Sequence, residues 1–127
     1  MKRKIFVLAV FLVFSVAFAA SANSLTVYSS VDEENARALL AAFTKDTGID
    51  VRFVFLSSGP ALARMEAEKN NPQADIWMGA PSENHVLAKE RGLTQPYLSP
   101  NTAALDAKFY DAEGYWTSFY MNPMGVA

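Results

Sequence analysis

The stretch Phe55-Leu56-Ser57-Ser58-Gly59-Pro60 marks the point where an apolar run gives way to small polar residues and a proline. The apolar run, residues 51–56, predicts a mostly buried strand. Because proline suits the first helical position, we predict a helix from Pro60, with Ser58 or Gly59 as its N-cap. The free N–H groups of such a first turn, together with the positive end of the helix dipole, favour an anion or a polar oxygen.

Two other turns have similar chemistry. Ser29-Ser30 follows an apolar run at residues 25–28, and Gly79-Ala80-Pro81-Ser82 follows another at residues 74–78. Because the carboxyl ends of parallel strands meet at one edge of a sheet, we expect the three turns to line one crevice that holds a small polar solute. The residues predicted to bind it are Ser29, Ser30, Ser57, Ser58, Gly59, Gly79, Ala80, Ser82 and, through its hydroxyl, Tyr120.

Helical patterns separate these runs. Ser30-Val31-Asp32-Glu33 fits a capping box before a helix that ends at Gly48. The second helix is predicted from Pro60 to about residue 70, and the third from Ser82 to a stop at residues 91–92. This alternation predicts the α/β class, with a doubly wound parallel sheet and flanking helices.

The periodicity ends at Leu93. Two turn-rich connections follow, at residues 94–101 and 106–114, and the aromatic residues 115–121 predict one more strand. The last residues, 122–127, are apolar and carry no terminating signal, so we expect the chain to be truncated.

The amino terminus has the pattern of a secretory signal peptide. Basic residues 2–4 precede an apolar run, and Ala20-Ser21-Ala22 supplies a cleavage site, with Ala17-Phe18-Ala19 as a second candidate. A retained membrane anchor is the alternative, although the apolar run is shorter than the roughly 20 residues that span a bilayer. We therefore divide the chain into a signal peptide, residues 1–22, and an incomplete α/β lobe, residues 23–127.

Composition narrows the class further. The chain has no cysteine, so disulfides, thiolate chemistry and lipid attachment through cysteine are excluded. Removing the signal peptide leaves eight basic against thirteen acidic residues, interspersed on the predicted helices, which argues against a nucleic-acid partner. A soluble periplasmic protein is the simplest interpretation.

Structural roles compete with the binding roles. Helix capping alone would explain Ser29, Ser30 and Ser82. His85, the only histidine, is predicted to lie on a helix surface, and Trp77 and Trp116 are predicted to be core residues that could stack on an organic ligand.

Catalysis has little support in the sequence. There is no G-x-S-x-G elbow, P-loop or dinucleotide fingerprint, and no nucleophile lies near His85 in a triad-like order. An exported hydrolase and the sensor domain of a receptor remain as competing hypotheses.

Five motifs, in order, resemble the opening of a periplasmic solute-binding protein, in the branch that binds ferric iron or phosphorylated compounds for ABC importers. They are Leu25-Thr26-Val27-Tyr28-Ser29-Ser30, Phe43-Thr44-Lys45-Asp46-Thr47-Gly48-Ile49, Ala74-Asp75-Ile76-Trp77-Met78-Gly79, Ala88-Lys89-Glu90-Arg91-Gly92-Leu93, and Gly114-Tyr115-Trp116-Thr117 with Pro123-Met124-Gly125. The resemblance implies a type II fold of two α/β lobes that close on a ligand, of which this chain is most of the first lobe. It also implies a non-enzymatic importer component without a cofactor, working with permease and ATPase subunits in the inner membrane.

The resemblance leaves two ligand classes open. Ferric-binding members use a His after the first strand and a Glu after the third, and those places here carry Asp32 and Ala80. Asp32 would be an acceptable oxygen donor if ferric iron is the ligand, but the missing Glu weakens such a site. The turns at residues 57–59 and 79–81 are more similar to the branch that binds phosphonates or sugar phosphates, so we favour an anionic organic solute.

Overall fold

A computed structural model of the protein describes residues 24–121. The predicted signal peptide and the end of the chain, residues 122–127, lie outside the described residues. The strands are β1 (Ser24–Ser29), β2 (Asp50–Phe55) and β3 (Ile76–Met78); the helices are α1 (Glu33–Thr47), α2 (Ser58–Ala67) and α3 (Ser82–Glu90); two 3-10 turns follow at Pro100–Ala104 and Ala107–Phe109. No helix within residues 24–121 has the length and apolar character needed to cross a membrane.

The strands form one parallel sheet in the order β2-β1-β3, which confirms the predicted α/β class. The central strand β1 carries the core, because Val27, Tyr28 and Ser29 are all buried. Ser29 pairs with Phe55 on one side and Met78 on the other, and each of these is the last residue of its strand. The carboxyl ends of the three strands are therefore level.

Strand β2 is less buried than its apolar sequence predicts. It has β1 as its neighbour on one side, and within the described chain no strand covers its other edge. Helix α1 packs on it, with the Arg37 guanidinium 5.1 Å from the centre of the Phe53 ring, yet Phe55 keeps 48% of its surface exposed. The prediction of a mostly buried strand was wrong because sequence pattern alone does not distinguish an edge strand from a central one.

Two helix starts differ from the predictions. Helix α1 is capped by Asp32, whose carboxylate accepts from the N–H groups of Glu34 and Asn35, so the predicted capping box at Ser30 does not form. Helix α2 starts at Ser58 with Ser57 as N-cap, which places Pro60 third in the helix. Proline is tolerated there because the N–H groups of the first turn have no intrahelical acceptor.

The third helix starts at Ser82 as predicted, but its N-cap is Pro81, so the capping role suggested for Ser82 is wrong. Gly48, in contrast, ends α1 as predicted, with φ of 72° and its N–H donating to the Thr44 carbonyl at 2.8 Å. Positive φ is the backbone conformation in which glycine avoids the steric cost of a side chain.

The predicted strand at residues 115–121 does not form. The described part of this segment makes a single antiparallel bridge, between Tyr110 and Thr117, supported by the Ser118 N–H bonded to the Phe109 carbonyl at 2.7 Å. A strand needs a continuous ladder with a neighbour, and the preceding residues form 3-10 turns instead. Aromatic composition alone therefore gave the wrong secondary structure.

Candidate ligand-binding cleft

The level strand ends open on one cavity of about 1350 Å³. Its walls come from the turns after the three strands, the last turns of α2, residues 72–75, strand β3, the first turn of α3, and two later segments, residues 92–97 and 115–120. The predicted binding residues that line it are Ser30, Ser58, Gly79, Ala80, Ser82 and Tyr120. Residues from all three strand-end turns therefore share one cavity wall.

The other predicted binding residues lie outside that wall. Ser29 is fully buried, and its Oγ accepts from the Val31 N–H at 3.2 Å, so this hydroxyl shapes the turn after β1. Ser57 and Gly59 flank Ser58 but are exposed away from the cavity lining. Their predicted contact with a ligand stays a prediction.

Helices α2 and α3 both begin at the cavity without a side-chain cap. Neither N-cap residue, Ser57 or Pro81, makes a side-chain hydrogen bond to its helix, whereas Asp32 does so for α1. Ser58 of α2 and Ser82 of α3 line the cavity. First-turn N–H groups without a protein acceptor are available to a polar ligand, and the dipoles of two helices add positive potential at the same place.

The turn after β3 brings that strand against the turn after β1. Gly79 has φ of 83°, and a Cβ there would come within 2.7 Å of Val31 Cγ2 and 2.8 Å of the Val31 nitrogen. The next residue, Ala80, also has a positive φ of 67°, which is rare for a residue with a side chain. Strained backbone of this kind is concentrated at functional sites, so the predicted turn at residues 79–80 is a specialised part of the cleft wall.

Trp77, His85 and Ser30 form a connected group behind this turn. The Trp77 indole N–H donates to Ser30 Oγ at 3.1 Å, and the ring centres of Trp77 and His85 are 4.5 Å apart. His85 Nε2 is hydrogen-bonded to the Gly79 carbonyl at 2.5 Å. His85, predicted to lie on a helix surface, is half-buried and lines the cavity. Its spacing of one helical turn from Ser82 was a signal that it shares the face of α3 at the cleft.

Burial lowers the pKa of His85 below its ordinary value, against a smaller opposing effect of the hydrogen bond to Gly79. A neutral imidazole is therefore favoured in the folded protein. Because Nε2 is engaged by the Gly79 carbonyl, this ring serves to hold the turn after β3. Trp77, predicted as core, is half-buried and lines the cavity.

An ion-pair cluster attaches the later segments to α3. Lys89 Nζ lies 3.1 Å from Asp111 Oδ1 and 2.7 Å from Glu113 Oε1, and 4.8 Å from the centre of the Tyr115 ring. The Asp111 carboxylate also accepts from the Tyr115 N–H at 3.1 Å. We name this group the Lys89 cluster; it holds the segment that carries Trp116 and Tyr120 into the cavity wall.

Several charged groups on the lining are already paired within the lobe. Glu68 accepts from the Tyr28 hydroxyl and from Arg64 Nε, both at 2.8 Å, and the Arg64 hydrogen bond is the largest cause of its lowered pKa. Lys69 Nζ donates to the Arg91 carbonyl at 2.6 Å, and Asp75 Oδ2 accepts from the Thr26 N–H at 2.8 Å. The groups left to meet a solute at the strand ends are mainly hydroxyls and backbone N–H groups.

The described residues do not complete a metal site. Residues 24–121 contain no group of three or more His, Cys, Asp or Glu side chains placed to hold a metal ion. Asp32 is exposed, caps α1 and lies outside the cavity lining. Its role as an iron ligand stays a prediction that would need donors from beyond these residues.

A parallel α/β sheet flanked by helices, with helix starts meeting at a cleft beyond the strand ends, is the arrangement of one lobe of a type II periplasmic binding protein. Comparison with known proteins agrees. A probable ABC transporter periplasmic-binding protein of Sinorhizobium fredii is 37% identical over 116 residues, covering 91% of this chain and 32% of the relative. A putative 2-aminoethylphosphonate-binding periplasmic protein of Salmonella typhimurium is 40% identical over 66 residues, covering 52% of this chain and 20% of the relative.

Solved structures give the same class. The periplasmic binding protein AfuA from Actinobacillus pleuropneumoniae, with fructose-6-phosphate bound, matches with a TM-score of 0.66 and 35% identity, covering 68% of this chain and 27% of that one. A Trichodesmium protein in complex with iron and citrate matches with a TM-score of 0.69 and 28% identity, covering 76% and 31% of the two chains. No protein-family model matches the sequence.

The homologues and structural neighbours of this chain are therefore periplasmic binding proteins of ABC importers, as the five sequence motifs predicted. These relatives are binding proteins rather than enzymes, and they support a periplasmic location. The chain spans about a third or less of the length of the relatives it matches.

Proposed function

We propose that the complete protein is the periplasmic solute-binding component of an ABC importer and captures a small anionic organic solute of the phosphonate or sugar-phosphate type. The observation that carries this proposal is the pair of helix starts, at Ser58 and Ser82, that meet one cleft without side-chain caps. Each helix terminus stabilises an anion by about 0.3–1 kcal/mol at an exposed site and by up to about 2 kcal/mol in favourable partly buried geometries.

Neutral donors suit a protein that must release its cargo. With Glu68 and Asp75 engaged inside the lobe, the solute at the strand ends would be held mainly by hydroxyls and backbone N–H groups. Phosphate and phosphonate groups accept several hydrogen bonds at once and are bound in this manner at helix starts in many proteins. The relative named for 2-aminoethylphosphonate and the neighbour solved with fructose-6-phosphate support the same chemical class.

Ferric iron is the second candidate, because a neighbour was solved with iron and citrate. In this chain Asp32 would have to leave its capping role or share it, and the remaining donors would come from outside residues 24–121. Glu83, in the first turn of α3 on the cleft lining, separates the two candidates. Glu83→Gln is expected to tighten binding of an anion by about threefold through removal of like charge, and to weaken binding of a cation.

We further propose that the protein performs no chemistry on its solute. Among the described residues His85 is the one imidazole, and its bond to the Gly79 carbonyl leaves it poorly placed as a general base. An exported hydrolase would show turnover of phosphate esters that is lost in Ser57→Ala. A receptor sensor domain would carry a membrane-spanning segment further along the chain.

The remaining parts of the proposal concern the whole protein. Residues 1–22 are removed as a signal peptide, residues 23–127 belong to the first of two lobes, and permease and ATPase subunits receive the solute at the inner membrane. Intact-mass measurement on the periplasmic protein tests the cleavage site: a chain that begins at Asn23 supports it, and a retained leader contradicts it.

Isothermal titration of the complete protein tests the ligand class. We expect fructose-6-phosphate or 2-aminoethylphosphonate to bind more tightly than ferric citrate. Ser58→Glu places a carboxylate on the cleft lining and is expected to raise the Kd for the anion by about tenfold or more. Ser24→Glu is the matched control, because it puts the same charge on an exposed serine at the opposite end of β1, outside the lining. Equal effects of both variants, or no effect of either, would contradict the site.

A further inference from the structure

The Ser30 hydroxyl on the cleft lining has one of its hydrogen-bonding roles fixed by a tryptophan. The Trp77 indole N–H donates to Ser30 Oγ at 3.1 Å, and an indole nitrogen can only donate. The oxygen of Ser30 is therefore the acceptor in this bond, and its own proton is left for another partner. The hydrogen bonds within residues 24–121 include none in which this hydroxyl is the donor, and both residues are half-buried and line the cavity.

The indole ring of Trp77 is held by a second contact. Its centre lies 4.5 Å from that of the His85 ring, and the two rings are tilted by 40°. His85 Nε2 is in turn hydrogen-bonded to the Gly79 carbonyl at 2.5 Å. Gly79 is buried against Val31, the residue that follows Ser30. Strand β3, helix α3 and the turn after β1 therefore fix the direction of the indole N–H together.

Backbone hydrogen bonds place Ser30 between the other two strand ends. Its N–H donates to the carbonyl of Met78, the last residue of β3, at 2.8 Å. The preceding residue, Ser29, accepts through its carbonyl from the N–H of Leu56, just after β2, at 2.9 Å. Leu56 is two residues from Ser58, where α2 begins. Ser30 therefore belongs to the same part of the lining as the helix start that is proposed to hold the anion.

We propose that Trp77 is a positioning residue, which makes the Ser30 hydroxyl a hydrogen-bond donor toward the solute and so fixes the oxyanion end of the solute at the turn after β1. This inference rests on the proposed function, in which the solute carries a phosphate or phosphonate group. An ionised phosphate oxygen accepts hydrogen bonds, so it matches a hydroxyl whose own oxygen is already engaged. An ammonium group only donates, so the amino end of an aminoalkyl phosphonate is directed away from Ser30.

A double-mutant cycle on the complete protein, at about pH 8 where phosphate esters are fully ionised, tests whether Trp77 acts through Ser30. Ser30→Ala removes the donor and is expected to raise the Kd for fructose-6-phosphate by about tenfold or more, because a hydrogen bond to a charged group is lost. Trp77→Phe keeps an aromatic ring without the N–H. It should raise the Kd by about three- to fivefold, because the hydroxyl can then turn among three staggered positions. The double variant should bind about as weakly as Ser30→Ala alone.

The same cycle with 2-aminoethylphosphonate separates this inference from the proposed function. If the wild-type protein binds neither probe, the proposed function fails. If it binds a probe and the effects of the two substitutions multiply in the double variant, or Ser30→Ala leaves the Kd unchanged, the role of Trp77 alone is overturned. Where both probes bind, the Kd values must rise by similar factors, because the oxyanion is the group that the probes share; an effect on one probe only overturns the placement of the oxyanion at Ser30.

For a variant that does not fold, the Trp77 indole signal of the wild-type protein in a nitrogen-15 spectrum replaces the cycle. A solute that accepts from the Ser30 hydroxyl polarises it and strengthens the bond from the indole N–H, since hydrogen bonds in a chain reinforce one another. The proton signal of that N–H should therefore move downfield as fructose-6-phosphate is added, with the Kd of binding. A Trp77 signal that stays still while the solute binds overturns the inference.

Discussion

At the residue scale, the turn after β3 is the most constrained part of the cleft. Gly79 and Ala80 both have positive φ, and the first of them has no space for a side chain because the Val31 backbone lies against it. Ala80 keeps its methyl group at a conformational cost of about 1–2 kcal/mol. The folded protein keeps this strained conformation, which indicates that the shape of the turn serves the site and not stability.

Gly79→Ala is expected to lower the free energy of unfolding by about 2 kcal/mol or more, because it adds left-handed strain to a contact with backbone atoms. Gly59→Ala is the matched control: a Cβ there meets nothing within 4 Å, and the helical position should gain about 0.5–1 kcal/mol. Urea unfolding of the complete protein measures both. Equal stability of the two variants would contradict the close approach of the two turns.

The half-buried His85 makes stability depend on pH. Its pKa is lowered by burial in the folded protein, so as pH falls below about 6.5 the unfolded chain takes up a proton before the folded one does. The stabilising contribution of neutral His85 is complete above about pH 6.5, and it is lost as pH falls through the lower pKa of the folded state. We expect stability to decline in the wild-type protein as pH falls below about 6.5, and to decline less in His85→Gln.

Urea titrations at a series of pH values give this measurement. The lowered pKa of Glu68 acts in a separate window, below about 4.5, and therefore does not interfere. Identical pH profiles for the wild-type protein and His85→Gln would show that His85 is not buried as described.

At the element scale, local patterns explain what the sequence could predict. Apolar runs followed by small polar turns correctly predicted three parallel strands alternating with three helices. The strand predicted at residues 115–121 failed because a ladder depends on a distant partner. The edge position of β2 depends on tertiary packing, which no local spacing encodes, whereas the spacing of His85 from Ser82 did carry a signal for its place at the cleft.

The Lys89 cluster makes a prediction about how elements are joined. The Lys89 and Asp111 side chains are 24% and 18% exposed, whereas the pair of Lys108 and Asp106 is 67% and 59% exposed. Lys89→Met is expected to loosen the segment from Asp111 to Trp116, lower the melting temperature and speed proteolysis in that segment. Lys108→Met, the matched control, should do neither, because exposed ion pairs contribute little. Similar behaviour of both variants would contradict a structural role for the cluster.

At the scale of the whole molecule, the described lobe carries one wall of a binding site and leaves large apolar side chains beside it uncovered. Four of these side chains expose at least half of their surface: Tyr97 (73%), Phe119 (55%), Tyr120 (50%) and Met121 (71%). The relatives that this chain matches are about three times as long, and one of them was solved with fructose-6-phosphate bound. Affinity is therefore a property to be measured on the complete protein; in the proposed function, this lobe supplies contacts to the anion.

The central claim is that backbone N–H groups from separate strand-end turns converge on one solute. Backbone amide signals in a nitrogen-15 spectrum of the complete protein, followed during addition of fructose-6-phosphate or, if that does not bind, 2-aminoethylphosphonate, measure this directly. We predict that the amides of Ser58, Gly59, Ser82 and Glu83 shift together with one Kd, while those of Leu25 and Val51, near the opposite ends of their strands, stay unchanged. Binding that leaves the amides at the starts of α2 and α3 unmoved would contradict the account.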